Sequence, residues 1–254
     1  MAIDSHTHIN SKTCRQYNVD KDKEIATVNN CSLLTGVVNV GLNIETSKES
    51  IIISKNNEKF YSSIGIHPLY IKNEDPEALY SLVNDKVVAI GEIGLDKTKD
   101  DYYEQRRYLI LQLIAANTLH LPVIIHANNS NREVIEIFEK YIKPKYGCVF
   151  HCFQPDLEVL DYLIKNHFYI SFAGRVTYKN AKKSLEVLER VPNDLYLVET
   201  DSPYISPEPL RDSVGSSTNL EYIIRKISDV KGISFEEVEN QTENNARSLF
   251  QRIR

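Results

Sequence analysis

The sequence predicts an α/β fold: a single (β/α)8 barrel of the TIM type, one domain over residues 1–254. Three observations carry this. Eight short apolar runs, each bounded by turn residues, recur along the chain. Several are almost continuously apolar, as parallel strands covered on both faces must be. Segments with helical spacing separate them, and strands alternating with helices make a parallel sheet. The length of 254 residues matches the roughly 250 typical of eight such units, which favours the closed barrel over an open doubly wound sheet.

The strands are expected at 2–3, 33–40, 60–66, 87–90, 122–125, 147–150, 168–172 and 195–198. Helices are expected at 77–84, 101–119, 132–141, 157–166, 181–189 and 220–230. The clearest is 101–119, with Tyr108, Leu111, Ile114, Ala115 and Thr118 on one side and Glu104, Arg106 and Arg107 towards solvent. Pro192 and Asn193 punctuate the approach to the last strand. Residues 234–254 read as a helical hairpin, opened by a capping box between Ser234 and Glu237. The irregular stretch 202–218, rich in Ser and Pro, follows the last strand and reads as an active-site loop rather than a domain boundary.

Composition removes several classes. Hydrophobic residues at 42% and charged residues at 26% exclude a disordered chain. There is no run of 18 apolar residues and hence no membrane span. The N-terminus lacks the basic flank and apolar stretch of a secretory signal, so the expected location is cytoplasmic. Cys14, Cys31, Cys148 and Cys152 form no CxxC pair and are expected as reduced thiols. The net charge of −5 argues against broad non-specific nucleic-acid binding, which wants a basic face. No heptad seam or large apolar edge stands out, so a monomer without an obligate protein partner is expected.

A barrel of this kind carries its chemistry at the C-terminal ends of its strands. Asp4-Ser5-His6-Thr7-His8 follows the first strand, and side chains two apart on extended backbone share a face. Both imidazoles can then reach one metal ion. His67 follows the third strand, Glu92 the fourth, His126 the fifth, His151 the sixth and Asp201 the eighth. Five of the seven histidines therefore fall at strand ends. Singly, each has an ordinary explanation: a hydrogen-bonded core histidine, a capping Glu, an Asp in a turn. Together they need a separate coincidence at six strands, whereas one metal site accounts for all of them. His120 and His167 fall at strand starts and are expected to be structural or surface residues.

These motifs closely resemble the TatD-type metal-dependent deoxyribonucleases, within the amidohydrolase-like metal barrels. The matching segments are Asp4-Ser5-His6-Thr7-His8, Gly65-Ile66-His67-Pro68, Gly91-Glu92-Ile93-Gly94-Leu95-Asp96, Leu121-Pro122-Val123-Ile124-Ile125-His126, Phe150-His151-Cys152-Phe153, Tyr169-Ile170-Ser171-Phe172 and Val198-Glu199-Thr200-Asp201-Ser202-Pro203-Tyr204. Thr242, Asn245-Ala246 and Leu249-Phe250 resemble the family's terminal signature. The resemblance runs essentially end to end.

The resemblance implies a hydrolytic site with two divalent ions, Zn²⁺, Mg²⁺ or Mn²⁺. His6, His8 and Asp201 would hold one ion, His126 and His151 the other, and Glu92 would bridge them. A Glu bridge, with no Lys at that strand end, favours the nuclease-like branch over barrels bridged by a carboxylated lysine. Asp201, Glu92 and His67 are the implied catalytic residues: Asp201 the general base, His67 a contact to the substrate phosphate or leaving group. DNA is the implied substrate, as single strands or frayed ends, with 3′-5′ exonuclease action in view. The alternatives are hydrolysis of another small phosphoester or amide, or an inactive metal-binding barrel. Arg175 is available to a phosphate where many members carry an apolar residue, and Tyr178 and Tyr204 are available to stack a base. The chain departs from the family pattern at Asn10, at Gln154-Pro155-Asp156 and after Pro207. The ligand positions are intact; the loops facing substrate are not.

Overall fold

A computed structural model describes residues 1–254. The strands are β1 (Ala2–Thr7), β2 (Leu34–Val40), β3 (Phe60–Ile64), β4 (Val87–Asp96), β5 (Val123–Asn128), β6 (Cys148–Phe150), β7 (Tyr169–Phe172) and β8 (Tyr196–Val198). Each pairs in parallel with the next, in sequence order. The helices between and after them are α1 (Ser11–Gln16), α2 (Lys21–Asn30), α3 (Ile44–Asn56), α4 (Tyr102–Leu119), α5 (Asn131–Lys140), α6 (Leu157–Lys165), α7 (Lys182–Arg190), α8 (Leu220–Lys231) and α9 (Phe235–Leu249). This is the nearly closed (β/α)8 barrel that the sequence predicts.

The seam between β1 and β8 closes at the C-terminal ends of the strands. Thr7 and Ser202 form a parallel bridge. Beside it, Asp201 N donates to His6 O at 2.9 Å and His8 N donates to Ser202 O at 2.8 Å. Buried Asp4 accepts from the Thr200 amide at 2.9 Å and the Thr200 hydroxyl at 2.6 Å. The opposite end is plugged. Leu249, Phe250 and Ile253 pack with Ile3, Val38, Val40, Ile124, Val149 and Leu197 inside the barrel. No helix is long and apolar enough to cross a membrane, and all four cysteines are free thiols.

Several expected elements change. The stretch 77–84 is a 3₁₀ turn at Pro76–Ser81, capped by Asp75, rather than a regular helix. The tail is not a hairpin: the Ser234–Glu237 capping box opens one helix, α9, and the last residues run back under the barrel. There Arg252 donates to the carbonyls of Asn84 and Val87. The buried face of α4 is Gln105, Leu109, Gln112, Leu113, Ala115 and Ala116; of the expected apolar side Ala115 is buried, while Leu111 and Ile114 are 36% and 43% exposed. The apolar pattern pointed to the wrong side because two glutamines sit on the inner face. Gln112 accepts from Ile66 N (2.7 Å) and donates to Ile66 O (3.0 Å); Gln105 does the same to Asp96 (2.8 and 3.0 Å). Each satisfies backbone that would otherwise be buried unpaired, and each fixes a strand end beside the site.

Candidate metal centre

The histidine and carboxylate positions depend on how β1, β4 and β5 end. β1 continues to Thr7, so His6 lies within the strand rather than after it. β4 continues six residues past its expected end, to Asp96, and carries Glu92 inside it. The β4–β5 register shifts between Ile90 and Ile93, a bulge centred on Glu92. Glycines on both sides permit it. A Cβ on Gly91 would lie 2.6 Å from Ile124 Cβ, and one on Gly94 (φ +152°) would lie 1.8 Å from His126 O. Only glycine allows both that dihedral and that approach.

Glu92 is buried at the centre, and its two oxygens face different histidines. Oε1 lies 2.6 Å from His126 Nδ1, 2.7 Å from His151 Nε2 and 3.5 Å from His67 Nε2. Oε2 lies 3.4 Å from His6 Nε2 and 3.5 Å from His8 Nε2. Asp201 Oδ1 lies on the latter side, 3.4 Å from His8 Nε2 and 3.9 Å from His6 Nε2. The structure thus brings all seven sequence-predicted site residues to one place. Asp201 is buried with φ +51°, a conformation that Asp tolerates better than most residues. His120 and His167 stand in left-handed turns at the other end of the barrel.

The partners of the far ring nitrogens set the proton positions. His8 Nδ1 lies 3.1 Å from Val40 O, which can only accept, so that nitrogen carries the proton and Nε2 presents a lone pair to the site. His126 Nε2 lies 2.9 Å from Asp96 Oδ2, which can only accept, so Nε2 carries a proton; Nδ1 faces Glu92 Oε1 at 2.6 Å, donating to it when the ring is charged and free for a cation when the ring is neutral. His151 Nδ1 faces Glu199 Oε1 at 3.5 Å without closing a hydrogen bond. His67 is the opposite case. Its Nδ1 accepts from Leu69 N at 3.1 Å, so its proton sits on Nε2 and points into the site as a donor.

Asp96 and Glu199 were not singled out from sequence. Asp96 is two turns of the pleat beyond Glu92 on the same strand, and Glu199 is two residues before Asp201, so the period of two was the available signal. Glu199 is itself held by Cys152 N (2.6 Å) and the Ser171 hydroxyl (2.7 Å).

The electrostatics follow from one carboxylate ringed by imidazoles. Burial works to raise the proton affinity of Glu92, but His151, His67 and His126 outweigh it and hold the group ionised, well below the usual range. Burial likewise opposes charge on His151, but Glu92 and Glu199 overcome it and push its pKa up. His67 is pushed down to about 3, mainly by burial, and stays neutral. Burial and the nearby His151 lower His6.

This donor set fits divalent cations. The Nε2 atoms of His6 and His8 are 2.9 Å apart, and both imidazoles are buried. Two nitrogens that close need a shared proton or a cation between them, and imidazole with carboxylate is the chemistry of Zn²⁺, Mn²⁺ or Fe²⁺ sites. His6, His8 and Glu92 form one compact group of potential ligand atoms; His67, Glu92 and His126 lie equally close together, with the His67 Nε2 among them as a donor.

Residues 3–251 match the family described as TatD related DNase. The chain belongs to this family. Among its relatives is the uncharacterized metal-dependent hydrolase YabD of Bacillus subtilis, 33% identical over 98% of this chain and 99% of that one. Another is the uncharacterized metal-dependent hydrolase YcfH of Escherichia coli, 34% identical over 74% of this chain and 72% of its own. The fold is that of YjjV, a TatD homolog from Escherichia coli, with a TM-score of 0.88 at 22% identity over 98% of both chains. The protein is thus a TatD-family member in a group of metal-dependent hydrolases.

Two aromatic side chains of the loops pack against neighbours. Tyr178 does not offer a free face: Arg211 lies 4.3 Å over its ring, and its hydroxyl donates to Ser206 O at 2.9 Å. Tyr204 stands edge-on to His8 and Tyr17, each at 5.2 Å, so it walls the site.

Proposed function

We propose that this TatD-family protein is a metal-dependent deoxyribonuclease that hydrolyses phosphodiester bonds. The observation that carries this is the division of Glu92, with one oxygen towards His6 and His8 and the other towards His126 and His151. His6, His8, Glu92 and Asp201 would hold one divalent ion, and Glu92, His126 and His151 would hold a second. Divalent ions bound there would lower the pKa of water and neutralise phosphate charge.

The chain's own residues supply the rest. Asp201 is ionised, since His8, His151 and His6 outweigh the burial that would raise its pKa. It borders the open cavities beside the cluster and accepts the proton of the attacking water. The water oxygen bonds to phosphorus as the bond from phosphorus to the leaving sugar oxygen breaks, and that oxygen takes a proton from solvent. His67, neutral with Nε2–H inward, donates a hydrogen bond to a phosphate oxygen and steadies the developing charge. Gln112 fixes this position by clamping Ile66.

The test is addition of Mg²⁺, Mn²⁺ or Zn²⁺ to metal-free protein with labelled single-stranded DNA. Metal-dependent cleavage is expected, and Asp201→Asn is expected to slow it at least about 100-fold. Hydrolysis of small phosphodiesters or amides without DNA cleavage would overturn the DNA assignment. Absence of bound divalent ions together with metal-independent behaviour would overturn the metal site.

A further inference from the structure

Two cavities flank the cluster and share His126, His151 and Asp201. One, about 220 Å³, is walled by Leu42, Leu69, Tyr70 and Tyr204. The other, about 110 Å³, is walled by Asn128, Gln154 and Arg175. The first is suited to an apolar, aromatic group and the second to a small anion.

Arg175 decides the character of the second cavity. It lies in the short turn Gly174–Thr177 after β7, and that turn is held firmly. A Cβ on Gly174 would lie 2.8 Å from Pro207 N, so the turn sits directly on the β8–α8 loop. The Thr177 hydroxyl accepts from Glu208 N at 2.8 Å. The side chain itself is exposed and has no carboxylate partner; Arg15, Arg106, Arg252 and Arg254 are likewise without one, but of these five only Arg175 lines the cavity. Away from the shared His126, His151 and Asp201 the wall next to Arg175 carries neutral amides: Gln154 Nε2 donates to Asn128 Oδ1 at 2.8 Å, and Gln154 Oε1 accepts from Asn129 N at 2.9 Å. A free guanidinium beside neutral amides draws an oxyanion and grips phosphate with paired N–H donors.

We propose that Arg175 holds a second phosphate of the substrate, the one adjacent to the scissile group, while a nucleoside occupies the aromatic cavity. The inference rests on the nuclease function above and makes it specific. A group reacting over the three shared residues is continuous with both cavities, and a nucleic-acid strand offers a nucleoside on one side of a phosphodiester and a further phosphate on the other. The enzyme should therefore favour substrates with two phosphates over those with one.

The probes are the thymidine dinucleoside monophosphate, which has one phosphate, and its 5′- and 3′-phosphorylated forms, which have two. kcat/KM is measured with Mn²⁺ for wild type, Arg175→Leu, Arg175→Lys and Lys182→Ala, the last removing an exposed charge at the start of α7. Wild type should prefer one phosphorylated form by roughly 10-fold or more, through KM, as expected of a charge-assisted contact. Arg175→Leu should abolish the preference, Arg175→Lys should keep part of it, and Lys182→Ala all of it. Calorimetric binding of the same three probes to the Mn²⁺-loaded protein makes the comparison without turnover. Arg175-dependent binding without cleavage overturns the nuclease function alone. Cleavage with no preference in wild type, or with the preference intact in Arg175→Leu, overturns the phosphate subsite alone.

Discussion

Replacing Asp96 with Asn tests whether tautomer control builds the site. Asp96 Oδ1 accepts from Thr98 N at 2.8 Å and from the Thr98 hydroxyl at 2.5 Å, while Oδ2 faces His126 Nε2 at 2.9 Å. In Asp96→Asn the carbonyl oxygen stays with the two Thr98 donors, because turning the amide would set N–H against N–H. The NH₂ group then faces His126 Nε2, which must accept, and the ring proton moves to Nδ1. That nitrogen lies 2.6 Å from Glu92 Oε1 and is the atom offered to a metal. Loss of such an orienting partner costs about 10–100-fold in metal affinity, equivalent to about 1.4–2.7 kcal/mol. Calorimetric titration of metal-free protein with Zn²⁺ or Mn²⁺ measures the affinity, and long-range ¹H–¹⁵N spectra report which nitrogen is protonated. Binding within two-fold of wild type, or a proton still on Nε2, would refute the reasoning.

Three further outcomes follow from the same geometry. His67→Ala should lower kcat roughly 100-fold with bound metal unchanged, because His67 presents a donor; a fall in metal content by elemental analysis would make it a ligand instead. Asp4 is pushed up to about 7 by burial from an ordinary 3.8, so between those values the folded chain keeps a proton that the unfolded chain has lost. Its stabilisation is complete below the lower value and is lost as pH rises through 7. Asp4→Asn should remove roughly 2–4 kcal/mol of pH dependence from urea unfolding of the metal-free protein between pH 4 and 8, and an unaltered profile would contradict this. Gly94→Ala should cost more than about 3 kcal/mol in the same assay or prevent folding, since its Cβ would meet His126 O; near-wild-type stability would show that β4 can relax there.

Legibility tracked the kind of pattern each element carried. α4, α5, α6 and α8 were read within a residue or two because apolar side chains recur at helical spacing. α3 was not read at all. Beside buried Ile51 and Ile53 its inner face is hydroxylic: Ser50 donates to Asn39 O at 2.6 Å, and the Ser54 hydroxyl accepts from that of Ser62 at 2.8 Å. A helix seated on a sheet largely by hydroxyls shows only a broken hydrophobic period. The same applies to Gln105 and Gln112, whose burial reversed the expected face of α4.

By itself the sequence determined the alternation that makes a barrel, and that His6, His8, His67, Glu92, His126, His151 and Asp201 belong to the C-terminal half of the sheet, though His6, Glu92 and His126 lie within strands that run on past their expected ends. Both are local matters of period and order, and need no knowledge of what lies opposite. Only the tertiary structure decided which oxygen of Glu92 faces which histidine, and that Asp96 and Glu199 stand behind His126 and His151. It also decided that Val40 O and Leu69 N give His8 and His67 opposite tautomers, so that one offers a lone pair and the other a proton. Those properties arise from groups distant in the chain that meet only when the sheet curls on itself, and hydrogen bonding at about 3 Å is set by that meeting rather than by spacing along the chain.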